Sequence, residues 1–409
     1  MLLLVATAIF ITIYCHLFDD MGTFAKRRLV DFPFLTFVIT PCFFWISAYL
    51  CRRYSPNASG HNLQFAINQL KKDPDDFKKI SAFLNVRLIV VKTVSSLVSS
   101  FGGGALGKEG PSMHMSAGIF AIFANRYKKY LPKISLESWV IAGSAVGLTL
   151  VFNSPIAGVI FAAEKFSRIS YRNFRQGMIF SISCVAVVMM VFRNMEIMFK
   201  FHHVNFVEDG QIWTLILLAT VCALVAMVLK YSSNFLYQKI CAIESGLWHF
   251  IPLIIGVMVA IINYYCGIYS FSGGVQTIQE ALASDVSLLS YKEVGGRILN
   301  TILTFVSGSA GGLIAPAMAI GTGLGSIASA IFANVDAGVF LLIGMAAFLS
   351  VILGEPLAAA VLVLEATGQN IQALPFLLAA TIIAAFVGEG GWLRAVNKAI
   401  NDSPNRAIE

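Results

Sequence analysis

Gly107-Lys108-Glu109-Gly110-Pro111 returns 205 positions later, in outline, as Gly312-Leu313-Ile314-Ala315-Pro316. Each passage follows a Gly- and Ser-rich stretch, Ser99 to Gly104 in one case and Ser307 to Gly311 in the other. Each leads into an apolar run of small residues, Ser112–Ile122 and Ala317–Ala328. A second pair lies farther on. Pro155-Ile156-Ala157-Gly158 opens a run that closes on Glu164, and Pro356-Leu357-Ala358-Ala359 opens one that closes on Glu365. The Pro-to-Glu spacing is nine residues both times, and these prolines lie 201 positions apart. Four paired features in one order indicate two halves on one plan, about 1–200 and 210–400. Internal repeats of this kind build membrane transporters whose substrate sits at the repeat interface near mid-membrane. An inverted relation of the halves is expected, because it brings equivalent broken helices to one centre.

The composition requires a bilayer. Of 409 residues, 57% are hydrophobic and 12% charged, whereas a soluble domain carries about 25% charged residues. Apolar runs recur at Leu2–Leu17, Phe32–Leu50, Met178–Phe192, Ile212–Leu229, Phe250–Tyr265 and Val339–Leu353. Some fall short of the roughly 20 residues that cross hydrocarbon, so tilted, broken or protein-buried helices are expected. The reading is an all-α polytopic membrane protein of about fourteen to sixteen helical pieces. The first run begins at Leu2 with no basic segment before it, which reads as a membrane helix and not as a signal peptide.

A net charge of +7 does not indicate nucleic acid here. The basic residues form short ribbons between apolar runs, at Lys26–Arg28, Arg52–Arg53, Lys71–Lys72, Lys78–Lys79 and Lys128–Lys129. Such ribbons anchor helices at the membrane edge, and a basic mouth also concentrates anions. Seven dispersed cysteines without C-x-x-C spacing read as small hydrophobes. His202–His203 reads as a boundary pair. No compact nucleophile or metal cluster points to an enzyme, and neither cofactor nor metal is expected.

Glycine in a lipid-facing helix costs about 1 kcal/mol relative to alanine. Irregular backbone survives at membrane depth only inside protein or beside a polar cavity. Gly102–Gly110 and Gly308–Gly312 therefore belong to the interior. Pro111 and Pro316 suit the first turn of the helices that follow. The remaining first-turn amides, with the helix dipole, attract an anion by up to about 2 kcal/mol when partly buried. Desolvation of a small anion costs more than one helix end returns, so several ends must converge. Ser59, in Ser59-Gly60-His61-Asn62, reads either as an N-cap for the pattern Leu63–Leu70 or as a hydroxyl donor to an anion. Glu109 is an acid at a helix start in a glycine-lined break. Its carboxylate can take the anion's place and leave on protonation; the plain alternative is a static pair with Lys108. An ionisable group at such depth points to function. Glu164 ends a helix and Lys165 follows, where the dipole favours a cation; a structural pair or a basic mouth is the plain reading.

Together these motifs resemble the CLC family of chloride channels and chloride/proton antiporters. Gly107–Pro111 looks like its G-[KR]-E-G-P, Gly312–Pro316 like its G-x-F-x-P, and Ser59–Asn62 like its G-S-G-I-P loop with departures. Phe152–Gly158 through Glu164, and Pro356 through Glu365, match in order, and the likeness spans about Leu2 to Ile400. The resemblance implies a membrane homodimer, in a prokaryotic-type cell (inner) membrane, with one pathway for chloride and related anions per subunit. It implies Glu109 as the gating and proton-exchanging residue. It also implies Ser59 at the central anion, with backbone from Gly60, Gly110, Ile314 and Ala315 around it. Ile314 stands where the family has phenylalanine. Leu393 takes the position of a coordinating tyrosine, with Trp392 beside it, so either forms the expected inner gate by blocking. Lys165 replaces the internal proton glutamate, next to Glu164, which leaves the proton route open to Lys165 itself or to water reaching Glu109. Chloride/proton exchange is the expected activity; passive chloride conduction, a fluoride-selective exporter and an unrelated solute transporter are the alternatives.

Overall fold

The computed structural model describes residues 1–60, 62–72, 76–130, 134–166, 171–191, 197–204, 206, 212–243, 246–283, 289–332 and 336–388. Among these the chain is built of α-helices and short 3-10 turns, and the one β-bridge joins Gly107 to Gly312. The first series comprises α1 (Leu2–Asp31), α2 (Thr36–Tyr54), α3 (Asn62–Lys72), α4 (Phe77–Ile80), α5 (Val86–Phe101), α6 (Glu109–Arg126), α7 (Leu136–Phe152), α8 (Pro155–Phe166) and α9 (Tyr171–Val191). The second comprises α10 (Ile212–Cys241), α11 (Phe250–Cys266), α12 (Val275–Ala283), α13 (Tyr291–Val306), α14 (Ile314–Ile331), α15 (Ala337–Leu353), α16 (Pro356–Ala366) and α17 (Leu374–Gly388).

Among the described residues five stretches are long and apolar enough to cross a membrane: Leu2–Asp31, Pro33–Tyr54, Ile212–Cys241, Ile314–Ile331 and Ile371–Gly388. At about 1.5 Å per residue, the 30 residues of α1 and of α10 exceed a hydrocarbon core of about 30 Å. Such helices tilt or project beyond it. Other apolar helices are shorter, and some lie inside protein: all 17 residues of α7 are buried. That is why they read as continuous apolar runs without a polar face. Close helix approach is made by small residues. A Cβ on Gly321 of α14 would stand 2.3 Å from the Gly344 carbonyl oxygen of α15, and one on Gly147 of α7 2.9 Å from Met113 Cα of α6.

Paired features recur in the backbone of the two helix series. Gly103 follows α5 and Gly308 follows α13, each at φ +84°. Asn153 closes α7 and Gly354 closes α15, both left-handed, their amides donating to Thr149 and Ser350 carbonyls. Contacts between the halves exchange partners. Ala105 N donates to Thr304 Oγ1 at 3.1 Å, and Ala310 N to Ser95 Oγ at 3.2 Å. Local caps agree with the sequence. Asn85 accepts from Leu88 N at the start of α5, and Ser290 with Glu293 forms a capping box on α13.

Candidate functional site

The two glycine-rich breaks meet. Gly107 N donates to the Gly312 carbonyl and Gly312 N to the Gly107 carbonyl, both at 2.8 Å. A Cβ on Gly312 would lie 2.6 Å from Gly110 N, so the approach excludes any side chain there. The breaks thus satisfy their own buried backbone groups while leaving α6 and α14 to begin beside each other. Pro111 and Pro316 are each the third residue of their helix, within the first turn.

Glu109 opens α6 and is fully buried. Its Oε2 accepts from Ala315 N of the first turn of α14 at 3.4 Å. Its Oε1 is buried without a hydrogen-bond partner. The carboxylate therefore occupies the ground where the α14 dipole favours negative charge. Gly107 makes this rotamer possible, because a Cβ there would sit 2.0 Å from Oε2. The static pair between Lys108 and Glu109 is not the arrangement found: the Lys108 ammonium bonds Asp19 of α1. Asp19, Lys108 and Glu109 line a cavity of about 270 Å³ together with residues of the 271–277 segment. Lys26, at its edge, pairs with Glu280 at 2.8 Å.

Ser59 is buried in the segment between α2 and α3. Ser59 lies three residues before Asn62, the first residue of α3, and its hydroxyl donates to the Pro56 carbonyl at 2.9 Å. The same oxygen lies 2.5 Å from the Tyr237 hydroxyl of α10. Gly60 holds φ +68°, and the ring of Tyr237 lies 3.4 Å from where its Cβ would be. Beside this loop the buried ammonium of Lys92, from α5, donates to the Ala58 carbonyl at 2.7 Å. Ala58 packs in one cluster with Ala310 of the second break. Ile314 and Ala315 are buried at the head of α14. Ser59, the second break and Glu109 are thus joined by successive contacts: Ser59 follows Ala58, Ala58 meets Ala310, and Ala315 meets Glu109.

The ends of α8 and α16 are tied reciprocally. Glu164 accepts from Leu357 N and Ala358 N of α16 at 2.9 and 2.8 Å. Glu365 accepts from Ile156 N and Ala157 N of α8 at 3.2 and 2.8 Å. Each carboxylate satisfies first-turn amides of the other helix. Glu164 is thus a helix-end ligand. Lys165 turns away from it to Glu355, at 2.5 Å, and to Gln64 Oε1 of α3, at 2.7 Å. Both members of the Lys165–Glu355 pair are buried, with side chains 6% exposed.

Leu393 and Trp392 lie outside the described residues, as does His61. Sequence reasoning missed Tyr237, Glu355, Lys92 and Asp19. Glu355 left one signal, since it stands immediately before Pro356 where the first half has Ser154 before Pro155. Tyr237 left none, because nothing in α10 marks one aromatic among many. The cysteines are mixed: Cys51, Cys184 and Cys222 are buried, whereas Cys42 and Cys241 are exposed. No metal-holding group of His, Cys, Asp or Glu occurs among the described residues.

Over residues 43–389 the chain matches the family model described as voltage gated chloride channel. It is 26% identical over 391 residues to the H(+)/Cl(-) exchange transporter ClcA of Yersinia pseudotuberculosis serotype IB (strain PB1/+), covering 90% of this chain and 78% of the relative. Identity is also 26%, over 380 residues, to ClcA of Klebsiella pneumoniae, with 87% and 76% covered. Among solved structures, the fold superposes on a slow cyanobacterial Cl-/H+ antiporter with TM-score 0.79 at 18% identity, covering 98% of this chain and 97% of that one. It superposes on a CLC-type fluoride/proton antiporter with TM-score 0.76 at 19% identity, covering 95% and 94%. Since that family model matches well over half of its length, the chain belongs to the voltage-gated chloride channel family.

Proposed function

We propose that this protein exchanges chloride for protons across the membrane, with Glu109 as the group that moves between anion site and proton. The observation that carries the reading is the Glu109 carboxylate seated on Ala315 N at the head of α14. A carboxylate held there acts as a bound anion and closes the path. Protonation removes its charge and with it the attraction of the dipole. The neutral side chain then swings toward the cavity that Asp19 and Lys108 line, and chloride takes its place. The return of the side chain as a carboxylate expels chloride and releases the proton. One side chain thereby couples the two ions.

In this reading Ser59, with Gly60, binds the anion below Glu109, and the amides of Gly110, Ile314 and Ala315 complete its surroundings. Lys108, held by Asp19, draws anions into the outer cavity. Lys165 is tied to Glu355, so its charge is offset within protein and it contributes structure to the inner side. The two repeats, about 1–200 and 210–400, form one transport domain. The protein works as a homodimer in a cell (inner) membrane, its apolar α8, α9, α16 and α17 supplying exposed Ile156, Ile179, Leu357 and Phe386 for a second copy. The relatives named as H(+)/Cl(-) exchangers support exchange over passive conduction.

Purified protein in liposomes tests the proposal. A chloride gradient should drive protons uphill, and dissipating that gradient should stop them. Chloride flux with no accompanying proton movement would establish a passive channel instead.

A further inference from the structure

α10 brings one polar group to the Ser59 loop. Around Tyr237 the side chains of Phe235, Leu236, Gln238 and Lys239 are exposed, while Tyr237 is partly buried and packs into the core. Its ring packs on Phe305, just before the second break, with centroids 5.5 Å apart. Its hydroxyl stands 2.5 Å from Ser59 Oγ. The bare Gly60, at φ +68°, lets the loop cross the ring in van der Waals contact.

A serine hydroxyl has one proton to give, as does a phenol. The Pro56 carbonyl, 2.9 Å from Ser59 Oγ, is one acceptor for the serine proton. The phenol and Ser59 Oγ share a hydrogen bond in which either oxygen can be the donor. Each hydroxyl turns about a single bond, so both protons are free to re-aim at one acceptor. The ammonium of Lys92, buried on the next carbonyl along at Ala58, favours a negative acceptor there.

We propose that Tyr237 is a ligand of the anion, so that α10 supplies a phenolic donor opposite Ser59. The hydroxyl pair, when bonded to itself, closes the inner side of the site. It opens when both donors turn to chloride. This rests on the reading of Ser59 as an anion ligand. It makes the inner closure independent of Leu393 and Trp392.

Chloride titration of the purified full-length protein by calorimetry tests this, alongside bromide-soaked crystals. Tyr237→Phe keeps the ring on Phe305 and removes only the hydroxyl, and size-exclusion elution reports its folding. Hydrogen bonds to charged groups are worth about 1.5–3 kcal/mol, so Tyr237→Phe should weaken chloride binding roughly 10-fold or more. It should also raise the number of chlorides moved per proton in liposomes. Bromide density should lie within hydrogen-bond distance of both Tyr237 Oη and Ser59 Oγ. A Tyr237→Phe protein that binds and exchanges like the parent, while Ser59→Ala is impaired, overturns the role of Tyr237 and leaves the Ser59 site standing. If Ser59→Ala is also unimpaired and bromide avoids Ser59, the underlying site assignment fails and the proposal with it.

Discussion

Gly107 and Gly312, 205 positions apart, each donate an amide to the other's carbonyl at 2.8 Å. This reciprocal pair holds the start of α6 beside the start of α14. It satisfies four backbone groups that hydrocarbon would otherwise leave unpaired, each at a cost of several kcal/mol. The mechanism proposed for Glu109 depends on this join, since it places an acid from one half on an amide of the other.

Glu109→Gln should abolish proton movement while chloride still passes. The amide is nearly isosteric but never carries the charge that holds it on α14. On the proposed mechanism acid protonates Glu109 and frees the anion path, so chloride flux in the parent protein should rise as pH falls. That dependence should be lost in Glu109→Gln. Paired chloride and proton electrodes on liposomes read both. A variant whose flux still follows pH as the parent does would remove Glu109 from the coupling.

Gly312→Ala should be poorly tolerated. The added Cβ would lie 2.6 Å from Gly110 N, and the neighbour is backbone, which cannot turn aside. Overpacking costs about 1–3 kcal/mol, and here it also disrupts the paired amides. Gly295→Ala is the comparison, because no heavy atom lies within 4 Å of its Cβ. Thermal unfolding in detergent should separate the two, with Gly312→Ala markedly lower.

Lys165→Ala should destabilise the protein more than the double variant Lys165→Ala with Glu355→Ala. Removing one partner of a buried pair leaves an uncompensated charge, at about 3–5 kcal/mol, whereas removing both is often far milder. Gln64 gives Lys165 a second contact but offers the Glu355 carboxylate no substitute. Equal unfolding temperatures for the single and double variants would mean that the pair is not the main interaction of Lys165.

Glu164→Gln and Glu365→Gln should cost similar amounts. Each carboxylate holds two first-turn amides of the opposite helix, and a lost cap typically costs about 0.5–2 kcal/mol. The amide side chain retains one acceptor oxygen, so the loss falls at the lower end. Neither change should stop proton coupling, since these groups are occupied at helix ends. Loss of coupling in Glu164→Gln with an unchanged unfolding temperature would return Glu164 to the proton route.

Several of these features are local and legible in the chain. Pro111 and Pro316 mark first turns because proline lacks the amide that a first turn leaves unused. The spacing from Pro155 to Glu164 and from Pro356 to Glu365 announces two equivalent short helices. Val339–Leu353, apolar but for Ser350, is buried from Val339 to Val351 because it has no polar face to show to water. By contrast, the partner of Lys108 is not legible in the chain. Its neighbour Glu109 was the obvious carboxylate, yet Glu109 turns inward to α14 and Asp19 reaches Lys108 from α1.

The membrane setting and the place of Glu109 as the acid in a glycine-lined break were legible in the chain alone. These follow from composition, spacing and the backbone chemistry of glycine and proline, which act within a few residues. Only the tertiary structure decided that Tyr237 meets Ser59, that Glu355 meets Lys165 and that Glu164 and Glu365 trade helix ends. Those pairings join groups 178, 190, about 193 and about 208 positions apart. No local preference encodes them; they arise because buried charges and amides must find partners once the helices are packed.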